Sequence, residues 1–147
     1  MKKVLILFVL LFLVTGCGKE SVTNLDLKKA SEEVASIYTN MEDMDKDELK
    51  AIYGLDVSLL DEYEIKSSSL SNGYFYAILK VDDKNTKEVK KQMDNLFKVL
   101  ESQSDLYSPE AVKLIKNRLE TSIGNYLIYI VSEDNDAMYD VIKGYVE

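Results

Sequence analysis

Two runs, Tyr74 to Val81 and Tyr126 to Val131, constrain the fold more than any other part of the chain. Both are rich in aromatic and β-branched residues, which suit extended backbone. Successive side chains of a strand point to opposite faces. In the first run Phe75, Ala77, Leu79 and Val81 share one face, and Tyr74, Tyr76, Ile78 and Lys80 share the other. In the second, Tyr126, Ile128 and Ile130 oppose Leu127, Tyr129 and Val131. A sheet built on these strands is apolar on both sides, so both sides need cover. Terminal helices could supply it. The sharper alternative leaves a partly open tyrosine face, formed by Tyr74, Tyr76 and Tyr126, as a surface for a partner protein, peptide or glycan.

Amphipathic segments are available for this cover. Leu27, Ala30, Val34, Ile37, Tyr38 and Met41 recur at helical steps. Asp45 and Glu48 have the spacing of a capping box ahead of Leu49, Ile52 and Tyr53, and Gly54 stands where a terminating glycine belongs. Tyr63 and Ile65 alternate with charged residues as in a half-buried strand, and Ser71-Asn72-Gly73 signals a turn. Asn85 and Glu88 repeat the capping pattern before Val89, Met93, Leu96, Phe97 and Leu100. Ser108-Pro109 reads as a cap followed by a first-turn proline, with Val112, Ile115 and Leu119 as that helix's stripe. Gly124-Asn125 suits a two-residue hairpin turn between a short strand and Tyr126–Val131. A helix running on to Thr121 is the rival. Asp134 or Asn135 caps a final helix with Met138, Val141, Ile142 and Tyr145 inward. The expected fold is a single α+β domain, with a small antiparallel or mixed sheet of roughly three to four strands packed against about five helices.

The first residues have a different character. Met1-Lys2-Lys3 precedes an unbroken apolar run from Val4 to Val14. That run is shorter than the roughly 20 residues of a membrane-spanning helix and has the form of a secretory signal peptide. It ends in Val14-Thr15-Gly16-Cys17, which resembles the lipobox of bacterial lipoproteins. In that class of signal, diacylglycerol is attached to the Cys thiol and cleavage falls just before it. The expected organisation is a lipoprotein signal peptide over 1–16, lipidated Cys17 and a polar tether over 17–24, and one domain over 25–147. Two acyl chains suffice for stable anchoring, so the expected location is the extracytoplasmic face of the cell membrane. Removing residues 1–16 takes away two lysines and no acid, leaving 16 basic and 26 acidic groups, a net charge of −10. An acidic body gains nothing from anionic lipid, so the acyl group alone would hold it there.

The composition narrows the chemistry. The chain has no His, and Cys17 is its single Cys. The usual general base, the commonest zinc ligand and any intramolecular disulfide are thereby excluded. Arg118 is the only arginine on a chain of net charge −8, which speaks against nucleic acid. Asp43, Asp45 and Asp47 suggest calcium, but an EF-hand loop begun at Asp43 needs Gly at its sixth position and Glu at its twelfth. Those positions hold Glu48 and Gly54. No metal ion, cofactor or catalytic residue is expected. A carboxylate pair could still serve a small envelope hydrolase, and capture of a solute for a transporter is a further alternative.

Several segments together resemble the bacterial lipoprotein family catalogued as domain of unknown function 4358. They are Tyr53-Gly54-Leu55-Asp56, Tyr107-Ser108-Pro109-Glu110, Gly124-Asn125-Tyr126-Leu127 and Val131-Ser132, in that order and following the lipobox. Leu127 stands where the family pattern has Val, and over residues 57–82 only the strand pattern matches. The resemblance implies an envelope lipoprotein of Gram-positive bacteria with no established activity, and it carries over no catalytic residue. The function expected is therefore a lipid-anchored, non-catalytic interaction or accessory module.

Overall fold

The two doubly apolar runs are the centre of a sheet. In the computed structural model, which describes residues 24–38 and 40–147, they form β3 (Phe75–Lys80) and β5 (Tyr126–Val131), paired antiparallel with Ala77 opposite Tyr129. β2 (Glu62–Ser67) flanks β3, and β4 (Leu119–Ile123) flanks β5 through the Gly124-Asn125 turn. A two-residue edge strand, β1 (Glu42–Asp43), completes a five-stranded antiparallel sheet in the order β1-β2-β3-β5-β4. The strand count exceeds the expected three to four because Asp43 lies opposite Lys66 and the pair closes as an ion pair.

Helices cover both faces. On one face α2 (Lys46–Ala51), α3 (Asp83–Ser104) and α4 (Pro109–Lys116) enclose Phe75, Ala77, Leu79, Leu127 and Tyr129. Phe97 of α3 sits at the middle of this core, edge-on to Phe75 at 5.3 Å and against Tyr129 at 5.7 Å. On the other face α1 (Leu27–Ile37) and α5 (Asn135–Lys143) cover Tyr76, Ile78, Tyr126, Ile128 and Ile130. Each apolar face is thus removed from water by helices of the same chain, the main favourable term in folding. Among the described residues no helix is long and apolar enough to cross a membrane.

The local signals act as their chemistry requires. The Asp45 carboxylate accepts from the Asp47 and Glu48 amides, the Ser108 hydroxyl from Ala111 N, and the Asp134 carboxylate from Ala137 N. Gly54 has a φ of +74°, a conformation costly for other residues, and turns the chain so that Leu55 enters the core.

Four details differ from the pattern reading. α3 begins at Asp83, and Asn85 lies within its first turn, where its side-chain amide donates to Leu59 O and ties the preceding loop to the helix. Leu119 belongs to β4, because Asn117 closes α4 and pairing with Ile130 then satisfies the backbone as strand. α1 stops at Ile37, which is 49% exposed, so Met41 lies outside the helix. Asp43, the start of the would-be calcium loop, is in β1.

The chain enters this domain beside its own end. Leu25 bridges Val146, Asp26 N donates to Tyr145 O, and Glu147 N donates to Asn24 O. From there α1 runs along the sheet, and Tyr38 just beyond its end stacks on Tyr74 at 4.3 Å. Entry and the β2–β3 turn therefore lie at opposite ends of the strands.

Candidate functional site

The tyrosine face does not stay open. Tyr76 is fully buried and Tyr126 is 1% exposed, both under α1 and α5, so neither can meet a partner. The Tyr76 hydroxyl donates to Ser31 O at 2.9 Å and lies 2.8 Å from Ser31 Oγ, which in turn donates to Glu64 at 3.0 Å. Burial pushes the Tyr76 phenol well above its ordinary pKa. This residue joins α1 to the sheet. Tyr74 is half-buried at the rim, stacked on Tyr38, and its hydroxyl donates to Glu133 at 3.1 Å. Val14, Thr15, Gly16 and Cys17, with the rest of the expected signal peptide and the expected tether as far as residue 23, lie outside the described residues.

Tyr74 does line a groove, but on a different part of the surface. At the end of the sheet remote from the chain's entry, the β2–β3 turn, the C-terminal end of α2 and the corner between α3 and α4 enclose about 310 Å³. A second hollow of about 300 Å³ shares Glu48, Tyr53 and Ser67 to Ser69 as lining and so adjoins it. A space of about 310 Å³ is at the lower end of the range of small-ligand sites.

The groove is built by close approach. Gly73 in the turn has a φ of +74°, and a Cβ placed there would lie 2.7 Å from Ala111 Cβ of α4. Glycine therefore lets the turn rest directly on α4. On the opposite wall Asn95 of α3 donates to Tyr53 O at 2.9 Å, and Gln92 accepts from Asp56 N at 2.8 Å, which clamps the segment after α2 against α3. The Tyr53 hydroxyl donates to Gln103 Oε1 at 3.2 Å. Its pKa is raised, first by burial and then by the negative charge of Glu48, so it remains a neutral phenol.

The inner wall carries an unspent polar group. Ser104, at the last position of α3, is 1% exposed, and its hydroxyl has no hydrogen-bond partner. A buried unpaired hydroxyl costs about 1–3 kcal/mol, so such groups are uncommon. The other buried orphan among the described residues, Tyr126 OH, lies within the core under the helices. The Ser104 backbone carbonyl, by contrast, accepts from both Tyr107 N and Ser108 N and fixes the α3–α4 corner. Beyond it Leu106 and Tyr107 are 80% and 66% exposed.

A larger depression, about 560 Å³, lies elsewhere, where the chain enters beside Asp61 to Glu64. Its rim carries Asp61, Glu62 and Glu147, all exposed, and it includes no buried unpaired group. The smaller groove is the better candidate for that reason. Among the described residues no group of three or more Asp, Glu, Cys or His is placed to hold a metal ion.

Residues 33–132 match the family model described as domain of unknown function (DUF4358). The chain belongs to that family. The match extends from the second half of α1 to the end of β5 and thus takes in every wall of the groove. Within this DUF4358 domain, Tyr53-Gly54-Leu55-Asp56 forms the clamp on α3, and Tyr107-Ser108-Pro109-Glu110 forms the corner beside Ser104. Comparison with curated proteins and with solved structures returned no match for the chain.

Pattern reading missed Gln103, Ser104, Gly73 and the three serines Ser67 to Ser69 as a site. One signal was present: Ser104 follows Phe97 and Leu100 at helical spacing, so a hydroxyl occupies an interior position of the most regular apolar stripe.

Proposed function

We propose that this DUF4358 protein is a lipid-anchored lipoprotein on the extracytoplasmic face of the cell membrane, and that its domain is a non-catalytic interaction or accessory module. The observation that carries the anchoring is Val14-Thr15-Gly16-Cys17, which places the only Cys of the chain after a basic start and an apolar run. In support of the module, the two carboxylates whose pKa is shifted, Asp26 and Asp56, are engaged in contacts within the fold. The lowered pKa of Asp26 comes from its bonds to Lys29, and that of Asp56 from its bonds to Ser58 and then Lys50. A general acid needs a shift in the other direction. The chain also enters the domain at the end away from the groove. On an anchored protein the groove would then face outward.

Metabolic labelling with an alkyne fatty acid tests the anchor. The wild-type chain should take up label and sediment with membranes, and Cys17→Ala should take up none and be released. Label retained by Cys17→Ala, or absent from the wild type, would refute the assignment.

A further inference from the structure

The groove chemistry narrows what this module can hold. Its walls include no Lys or Arg, and Glu48 is the single charged residue of the 310 Å³ compartment. The adjoining hollow adds Glu42 and Asp43 at its mouth and again no cation. An anionic ligand such as a phosphate or a carboxylate would meet only like charge. Apart from the Tyr74 hydroxyl, which is engaged by Glu133, the polar groups that remain are hydroxyls and an amide: Tyr53, Ser67, Ser68, Ser69, Gln103 and Ser104. A hydroxyl both donates and accepts, so this set suits a partner whose own groups do the same.

An extended peptide fits less well. Ser68 N donates to Tyr74 O, Tyr74 N donates to Ser68 Oγ, and Gly73 N donates to Ser69 O, so the backbone of the turn is already paired. β1 lies opposite Ser67, and the outer edge it presents is only two residues long, too short a ladder to hold an added strand.

We propose that the groove binds a short, uncharged glycan. In this assignment the Gln103 amide NH2 contacts a sugar hydroxyl at the inner wall, and the Ser104 hydroxyl behind it, closed to solvent as it stands, is reached by a small adjustment of the α3–α4 corner as the sugar seats. The Gln103 carbonyl is already engaged by Tyr53, which leaves the amide donors for that purpose. Glu48 accepts from hydroxyls at the rim, and Ile52 and Leu70 meet the C–H faces of the ring. Ile52 is 48% exposed as it stands and would gain cover. The unpaired Ser104 hydroxyl would gain its missing partner. The proposal rests on the reading of the domain as an interaction module and names the ligand class of that module.

The test is an NMR titration of the full-length 15N-labelled chain in a phosphocholine detergent, which carries no sugar. The probes are maltose, cellobiose and N,N′-diacetylchitobiose, with tetralysine and glucose 6-phosphate as charged comparisons. At least one disaccharide should give saturable shifts centred on the amides of Tyr53, Ser67 to Ser69, Gln103 and Ser104. Ser104→Ala and Gln103→Ala should each weaken that binding by about tenfold, the loss of one well-made hydrogen bond, with the rest of the spectrum unchanged. No saturable shift from any disaccharide, an unchanged affinity in both variants, or tighter binding of either charged probe in the groove would overturn the proposal. Lipid attachment is read separately by the labelling at Cys17. A labelled protein whose groove takes no glycan would therefore overturn the ligand class and leave the anchor standing.

Discussion

Replacing Tyr76 by serine separates an interior tyrosine from a surface one. Tyr76 is, with Tyr126, the largest of the fully buried side chains and is held between α1 and the sheet. Removing a buried aromatic ring costs about 3–5 kcal/mol through lost transfer energy and the cavity left behind. The hydroxyl contributes separately. Two hydroxyl protons, on Tyr76 and Ser31, serve three short contacts at 2.8, 2.9 and 3.0 Å. Losing Tyr76 OH leaves Ser31 Oγ bonded to Glu64 alone, a further loss of about 1 kcal/mol. The sum of about 4–6 kcal/mol is a large part of the roughly 6–18 kcal/mol that a domain of this length holds in all. Urea denaturation followed by circular dichroism should show Tyr76→Ser lowering the midpoint by about 2 M or more, or an already unfolded protein. Tyr76→Phe keeps the ring and should lose only about 1 kcal/mol. Tyr74→Ser, at the half-buried rim, should lose about 1 kcal/mol, mainly its stacking on Tyr38. A Tyr76→Ser protein within about 1 kcal/mol of wild type would refute the reasoning, since a ring that can be deleted at that cost does not bear on a packed core.

Four further results are expected. Burial holds the Tyr76 and Tyr129 phenols above their ordinary pKa; below pH about 10 both folded and unfolded forms are neutral, and above it the unfolded chain ionises first and binds fewer protons, so stability should fall by up to about 1.4 kcal/mol per group per pH unit. Absorbance titration at alkaline pH beside urea midpoints checks this, and ten tyrosines ionising in one ordinary step would contradict it. Gly73→Ala puts a methyl at 2.7 Å from Ala111 Cβ on a backbone with φ of +74°; it should destabilise by about 2 kcal/mol or more in the same assay. Ser108→Ala removes the 3.2 Å cap bond to Ala111 N and should cost about 1 kcal/mol of unfolding free energy. Ser104→Ala should leave stability unchanged or raise it by up to about 1 kcal/mol, because it deletes a buried hydroxyl with no partner; a loss above that amount would mean the hydroxyl is satisfied in solution.

Much of the architecture follows from local chemistry alone. The alternation in β3 and β5 assigns Phe75, Ala77 and Leu79 to one face and Tyr76 and Ile78 to the other, and the two cores divide along that line. Gly124-Asn125, Ser108-Pro109, Asp45 and Gly54 mark their turn, caps and chain reversal, since each acts through backbone groups a few residues away. The proposed lipobox is likewise a matter of consecutive residues.

What lies over a face is a different question, because it depends on contacts between residues far apart in the chain. The sequence establishes that the Tyr76 face is apolar, and only the packing of α1 and α5 decides that Tyr76 and Tyr126 are interior while Tyr74 remains at the rim. Leu119 fits a helical stripe as well as a strand until Ile130 is found opposite it. Asn85 looks like a cap until Leu59 O offers it another partner. The groove is the extreme case, drawn from residues 48–53, 67–75, 100–104 and 115. Periodicity reports that a side chain is covered or exposed, whereas tertiary contact decides by what, and the hydroxyl of Ser104 gains meaning only where those four segments meet.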